Sequence, residues 1–246
     1  MKVHILENKE ELGLNAGKAV AEALRDTIKK NGEAFFLTAT GASMFETYEQ
    51  LTKEEVAWSS VTIFHLDEYI GIDDTHPASF RRYLKERFVD KLPGLRAFHQ
   101  VRGDAEDIKA ECERLGALIS EVTIDVAQVG IGENGHLAFN DPPADFETTE
   151  PYIVVELDEA CRRQQYGEGW FESMEDVPKK AVSMSIREIM RAEKVLVVVP
   201  DERKAQAVKD CLEGTVDNRH PASILQEHDD CTVFLDRNSA SLLEEK

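Results

Sequence analysis

The stretch that most constrains the fold runs Asp125-Val126-Ala127-Gln128-Val129-Gly130-Ile131-Gly132-Glu133-Asn134-Gly135-His136 and on to Pro142. A short apolar run, Val126 to Val129, discharges directly into Gly130, Gly132 and Gly135, where the backbone must approach something closely or take positive φ. A second run, Lys194 to Val199, is mostly β-branched and continuous rather than alternating. Strands of this kind bury both faces, which in an α/β protein means a parallel sheet covered by helices on each side.

The rest of the chain alternates accordingly. Helical spacing covers Glu10 to Lys30, closed by Asn31-Gly32, then Met44 to Thr52, Ser79 to Phe88 and Asp104 to Glu121, with Asp104 as the expected cap. Shorter helices are expected at Glu159 to Tyr166, Ile186 to Arg191, Arg203 to Leu212 and Ala222 to Gln226. Strands are expected at the first residues, at Ala34 to Thr38, Val61 to Leu66, Tyr152 to Leu157, Lys180 to Ser185 and Cys231 to Leu235. The reading is a three-layer, Rossmann-like α/β fold, a mostly parallel sheet with helices on both faces, in a single domain over residues 1–246.

Composition narrows the class. Hydrophobic residues make up 42% of the chain, enough for a sizeable core, and no apolar run approaches the length of a membrane span. Charge follows the first residues at once, so the start reads as a strand and not a signal peptide. A formal charge of −19 argues against nucleic acid or an anionic membrane as partner. Any anionic substrate must then be held by a local device against an unfavourable overall field. The four cysteines, Cys112, Cys161, Cys211 and Cys231, show no Cys-x-x-Cys spacing, which fits a reducing cytoplasm and neither a disulfide framework nor a zinc site. No metal is expected.

In parallel sheets ligands bind beyond the carboxyl ends of the strands, and four such ends carry chemistry. Thr40-Gly41-Ala42-Ser43 offers backbone N–H groups and a hydroxyl between a strand and a helix; an ordinary serine cap would look the same. The Gly-Lys-Ser/Thr of a nucleotide loop is missing, which points to a sugar phosphate. Asp67-Glu68 supplies adjacent carboxylates that alternate faces if extended, so that one enters the site while its neighbour points elsewhere. His136 with Asp141 reads as an imidazole and its orienting carboxylate, and Asn134 lies beside them. Lys204, just past a buried strand, suits a phosphate or plain solvent equally. The other histidines lack a glycine-loop context and read as structural.

Four ordered motifs, Ala39 to Ser43, His65-Leu66-Asp67-Glu68-Tyr69-Ile70-Gly71, Gly130 to Pro142 and Arg203-Lys204-Ala205, resemble the glucosamine-6-phosphate deaminase (isomerase) family along Phe35 to Leu235. The resemblance implies a cofactor-independent enzyme that converts glucosamine 6-phosphate and water to fructose 6-phosphate and ammonia. It casts Asp67 as the base moving the proton between C2 and C1, His136 as the ring-opening group, and Asn134, Asp141 and Glu68 as supporting residues. The expected substrate and phosphate set is Thr40, Gly41, Ala42, Ser43, Gly130, Gly132, Lys204, Gln165 and Arg163. Three positions depart from the family. Asn134 stands where many members have Asp, Asp141 where Glu is usual, and the stretch Gln165-Tyr166-Gly167-Glu168 lacks the family's phosphate arginine, leaving Arg162 or Arg163 as substitutes. Galactosamine 6-phosphate is therefore a variant substrate. A 6-phosphogluconolactonase and a non-catalytic sugar-phosphate sensor are the other readings, less well matched at Asp67 to Gly71 and His136 to Asn140. No basic residues around Ala144 to Ile153 match the family's activator site, and a homo-oligomer is possible.

Overall fold

The computed structural model describes residues 1–167 and 169–244. In chain order its elements are β1 (Lys2–Leu6), α1 (Lys9–Asn31), β2 (Ala34–Thr38), α2 (Phe45–Leu51), β3 (Val61–His65), β4 (Asp67–Tyr69), α3 (Phe80–Arg87), β5 (Ala97–His99), α4 (Ile108–Ser120) and β6 (Val126–Val129). Then come β7 (Tyr152–Glu156), α5 (Glu159–Gly167), β8 (Lys180–Met184), α6 (Ile186–Ile189), β9 (Lys194–Val199), α7 (Ala205–Glu213) and β10 (Cys231–Asp236). Short 3-10 turns precede α2 and α7 and span Pro221–Glu227.

Seven strands form one parallel sheet in the order β1-β10-β9-β6-β2-β3-β5. The centre is apolar for the reason the sequence supplies: β6 and, from Val195 to Val199, β9 are buried on both faces. From β2 the chain winds outward through β3 to β5, while β6 leads the other way through β9. The order reverses between β2 and β6, and a reversal of this kind opens a crevice beyond the strand ends. The chain belongs to the α/β class expected of it, and no helix among the described residues is long and apolar enough to cross a membrane.

Local chemistry fixes the elements that frame the crevice. Asn8 caps α1 by accepting from the Glu11 N–H at 2.9 Å, and Gly32, at φ 84°, ends it with an N–H bond to Ile28 O. Gly13 of α1 meets α2 at a crossing so close that an added Cβ would overlap Glu46 Cβ, which sets α2 and the loop before it against the sheet.

Two expectations need correction, and one strand was not anticipated. Asp67 to Tyr69 does not extend the strand before it: these residues form β4, the edge of a separate antiparallel sheet ordered β4-β8-β7. Leu66 is the pivot, its N–H bonding Thr38 O in the parallel sheet while its carbonyl accepts from Met184 N beside the antiparallel one. The helix expected from Asp104 begins at Ile108, capped by Asp107, whose side chain accepts from Ala110 N. Asp104 instead accepts from Arg81 Nη1 at 2.8 Å, a tertiary use that its cap-like position conceals. Strand β5 carried no periodic signal in three residues. A smaller apolar cluster, including Tyr69, Phe139, Cys161 and Ala181, packs at the antiparallel sheet.

Candidate active site

Beyond the ends of β2 and β6 lies a cleft open to solvent, in the place where open α/β sheets bind their ligands. The loop after β2 forms one wall with Thr40, Gly41, Ala42 and Ser43. Its carbonyls are tied away from the cleft: Tyr48 donates its hydroxyl to Ala39 O at 2.6 Å, and Tyr83 donates to Gly41 O at 2.8 Å. Lys204, only 5% exposed, enters from the turn after β9 and is the sole Lys or Arg among the described lining residues. It brings a positive charge to the cleft wall.

Asp67 lines the cleft from β4, with Leu66 beside it. Burial, and then the neighbouring Glu68 charge, push its carboxyl well above the usual carboxylate range. No hydrogen bond to this carboxylate is present among the described residues. Glu68 points the other way, as alternation requires. Its carboxylate accepts from the N–H groups of Phe80 and Arg81 and from the Ser79 hydroxyl, and it pairs with the Arg81 guanidinium at 3.4 Å. It thus caps α3 from outside the cleft, the neighbour that points elsewhere and touches the site only through its charge on Asp67.

The loop after β6 delivers His136. Gly132 N–H bonds His136 O at 3.0 Å, closing a tight turn, and Ala222 N–H bonds Gly135 O to anchor it. An added Cβ at Gly132 would overlap the Cε1, Nε2 and Cδ2 atoms of the imidazole, so only glycine lets the ring lie across this backbone. That edge of the ring, with Nε2, faces the cleft-lining glycine. The opposite nitrogen, Nδ1, is 3.2 Å from Asp141 Oδ1 but not aligned on it as a linear hydrogen bond.

Asp141 is buried, which works against its charge. The His136 ring, the Asp158 N–H at 2.9 Å and the Asn134 amide at 3.1 Å outweigh that cost and hold its carboxyl below the ordinary value. Asn134 also donates to Asp158 Oδ2 at 3.3 Å and accepts the His136 N–H. A second carboxylate thus stands beside Asn134, that of Asp158, a residue no sequence signal marked beyond its place just before α5. Cys161 completes this corner: its Sγ, one His136 nitrogen and one Asp141 oxygen lie within 4.8 Å of one another.

Gln165 of α5 lines the cleft and accepts from the Tyr69 hydroxyl at 2.6 Å, while Gln164, which was not anticipated, accepts from Glu133 N. The two candidate arginines go elsewhere. Arg163 sits exposed on α5 and pairs with Glu159 one turn earlier, and Arg162 donates to the carbonyls of Met174 and Val177. Neither lines the cleft. Glu168 lies outside the described residues. Phe80 and Phe139, stacked with centroids 5.5 Å apart, add an apolar wall. Gly130 and Gly132 both line the floor.

Comparison with known proteins identifies the family. The family described as glucosamine-6-phosphate isomerases/6-phosphogluconolactonase matches residues 7–234. A glucosamine-6-phosphate deaminase of Exiguobacterium sibiricum is 36% identical over 247 residues, covering 100% of this chain and 94% of that protein. Glucosamine-6-phosphate deaminase 1 of Bacillus subtilis is 36% identical, with 98% and 99% covered. Among solved structures, a monomeric glucosamine-6-phosphate deaminase superposes with a TM-score of 0.89 at 35% identity, covering 98% of this chain and 100% of that one. The 6-phosphogluconolactonase of Trypanosoma brucei shares the fold at a TM-score of 0.78 and 18% identity. With a family match across nearly its whole length and full-length relatives above one-third identity, this chain belongs to the glucosamine-6-phosphate isomerase/6-phosphogluconolactonase family.

Proposed function

We propose that the chain is a cofactor-independent glucosamine-6-phosphate deaminase that produces fructose 6-phosphate and ammonia. The observation that carries this reading is the pairing, across one cleft, of a buried high-pKa carboxylate, Asp67, with an imidazole backed by a low-pKa carboxylate, His136 and Asp141. Hydrolysis of a lactone can proceed on one general base, whereas an aldose–ketose isomerisation with ring opening requires both a carbon-proton base and a separate proton shuttle.

In this mechanism Lys204 and the N–H groups of residues 40–43 hold the phosphate. His136, its Nδ1 proton turned toward Asp141, takes the C1 hydroxyl proton at Nε2 and returns a proton to the ring oxygen, opening the pyranose. The amino group then carries an open-chain sugar whose C2 proton is acidic. Asp67 removes that proton and delivers it to C1. The carbonyl oxygen at C1 takes up a proton and the amino nitrogen gives one up, so that C1 becomes CH2OH and C2 an imine. Water adds to C2, ammonia leaves and the ketose phosphate remains. A raised pKa makes Asp67 a stronger base than an exposed carboxylate, and the lack of hydrogen bonds leaves its oxygens free to face C1 and C2. Such a substrate and four free thiols fit a cytoplasmic enzyme.

The test is an assay of the purified protein for ammonia and ketose phosphate from glucosamine 6-phosphate, galactosamine 6-phosphate and unphosphorylated glucosamine. Release from the first in preference to the other two is expected. No ammonia from any of the three overturns the proposal.

A further inference from the structure

The cluster behind the imidazole has a chemistry of its own. A His136 nitrogen, an Asp141 oxygen and Cys161 Sγ converge within 4.8 Å, each from a buried or nearly buried side chain, and it is Nδ1 that faces Asp141. His136 is only 8% exposed, yet its Nδ1 has no aligned hydrogen-bond partner. A buried nitrogen whose contact with its carboxylate is off-line can exchange that contact for a ligand held by both. Zinc–nitrogen and zinc–oxygen bonds near 2.0–2.1 Å at a tetrahedral angle put the two donor atoms about 3.4 Å apart. The distance from His136 Nδ1 to Asp141 Oδ1 is 3.2 Å. Nitrogen, thiolate sulfur and carboxylate oxygen together suit a borderline-soft divalent ion and leave a fourth position for water.

We propose that His136 Nδ1, Asp141 and Cys161 form a binding site for a divalent cation of the zinc class, and that filling it switches the deaminase off. Binding replaces the Cys161 S–H bond with a sulfur–metal bond and releases that proton to solvent. At the imidazole the metal takes Nδ1 and the ring proton moves to Nε2. An imidazole protonated at Nε2 and metallated at Nδ1 cannot accept another proton, so it can no longer take one from the sugar hydroxyl. The ion sits behind the ring, on the side away from Gly132 and the cleft, and leaves Lys204 and residues 40–43 untouched. Inhibition therefore lowers kcat and leaves KM unchanged, unlike an ion captured by the substrate's phosphate. The inhibition rests on the deaminase reading; the binding does not.

Cobalt(II) is the probe, added to metal-free protein. Thiolate-to-cobalt charge-transfer absorption with intense tetrahedral visible bands is expected for the wild type and for Cys112→Ser, whose thiol lies on α4. Zinc should displace the cobalt, and Cys161→Ser and Cys161→Ala should lose the charge-transfer band. In the assay, zinc should suppress ammonia release reversibly. The half-inhibiting concentration should be at least about tenfold higher for Cys161→Ser, measured against that variant's own metal-free rate. No thiolate band in the wild type, or a band that survives in Cys161→Ser, overturns the site. A band without inhibition overturns the switch. Should the Cys161 variants fail to fold, zinc-edge X-ray absorption of the wild type decides: one sulfur in the shell supports the site, and a shell of nitrogen and oxygen alone removes it. A metal-free protein that releases no ammonia sinks the deaminase reading, and the cobalt spectrum still answers for the site.

Discussion

Two aspartates with buried side chains serve the same cleft, Asp67 lining it and Asp141 lying behind the His136 ring, and the protein treats them oppositely. Asp141, in the loop after β6, is met by an imidazole, a backbone N–H and an amide, and its charge is held. Asp67, on β4, is met by apolar neighbours and the like charge of Glu68, and its charge is resisted. Residue type is shared, and burial is shared; the count of donors decides. A carboxylate saturated with donors is a poor base and a good orienter, whereas a starved one is the reverse. On the proposed mechanism the parallel-sheet edge supplies anion binding and proton relay, and the antiparallel sheet supplies the base.

The largest expected effect comes from making the starved site neutral. Asp67→Asn removes the proton carrier and should cut kcat by about 10³-fold or more while substrate still protects the protein from heat. Unchanged turnover would take Asp67 out of the reaction. With Asp67 intact, activity should fall on acidification at a pH above the ordinary carboxylate value, because the base must be ionised and its pKa is raised. The same raised pKa costs stability: between the unfolded and folded values the native state holds the extra proton, so stability declines as pH rises through that window. Asp67→Asn should therefore melt about 2–4 °C higher than wild type at neutral pH, a gain on the order of 1 kcal/mol. Equal or lower melting would show that burial is not straining this group.

Next in size is the frame that keeps Glu68 beside Asp67. Arg81 is 3% exposed and pairs with Glu68, which is fully buried, and with Asp104. Arg81→Leu leaves that carboxylate uncompensated and should cost about 3–5 kcal/mol in denaturant unfolding. A loss near zero would mean that the cap bonds from Ser79 and Phe80 already suffice.

How much of this contrast a reader of the sequence could find follows from where each signal lives. The parallel strands are continuous apolar runs, so β2, β6 and β9 stand out, and with them the loops that hold Thr40, His136 and Lys204. Strand β4 reads Asp-Glu-Tyr and has no apolar signature; only the Leu66 pivot, a tertiary event, makes it a strand of another sheet. Arg163 looked like a phosphate ligand because an arginine near the site is chemically apt. Its helix turns it outward to Glu159, which the i, i+4 spacing encoded all along. Asp158 and Cys161 carry no pattern, since their roles arise only where α5 lands on the histidine loop.

On the saturated side, Asp141→Asn should lower kcat by about 10²-fold, since the imidazole loses the charge that favours its working tautomer. Its stability change should oppose that of Asp67→Asn. Asp141 has a depressed folded pKa, so it contributes stability above its unfolded value that is lost as pH falls through the folded one. Asp141→Asn should melt below wild type at neutral pH and converge with it in acid. Shifts of the same sign for the two asparagine variants would break the comparison.

The smallest effect tests why Asn134 is an amide where family resemblance leads one to expect a carboxylate. Its Nδ2 donates to Asp141 and to Asp158 at once, so it is the neutral wedge between two negative groups. Asn134→Asp would set three carboxylates together with no donor between them, costing about 1 kcal/mol of stability and pushing Asp141 upward. Asp158→Asn added to it returns an amide to the corner and a single charge to its old neighbourhood, since an asparagine at 158 can still accept from the Cys161 N–H. The pair should recover part of the loss, with a coupling of at least about 0.5 kcal/mol in a double-mutant cycle. Additive losses would mean that Asp158 does not supply the charge missing from position 134, and that His136 is oriented by Asp141 alone.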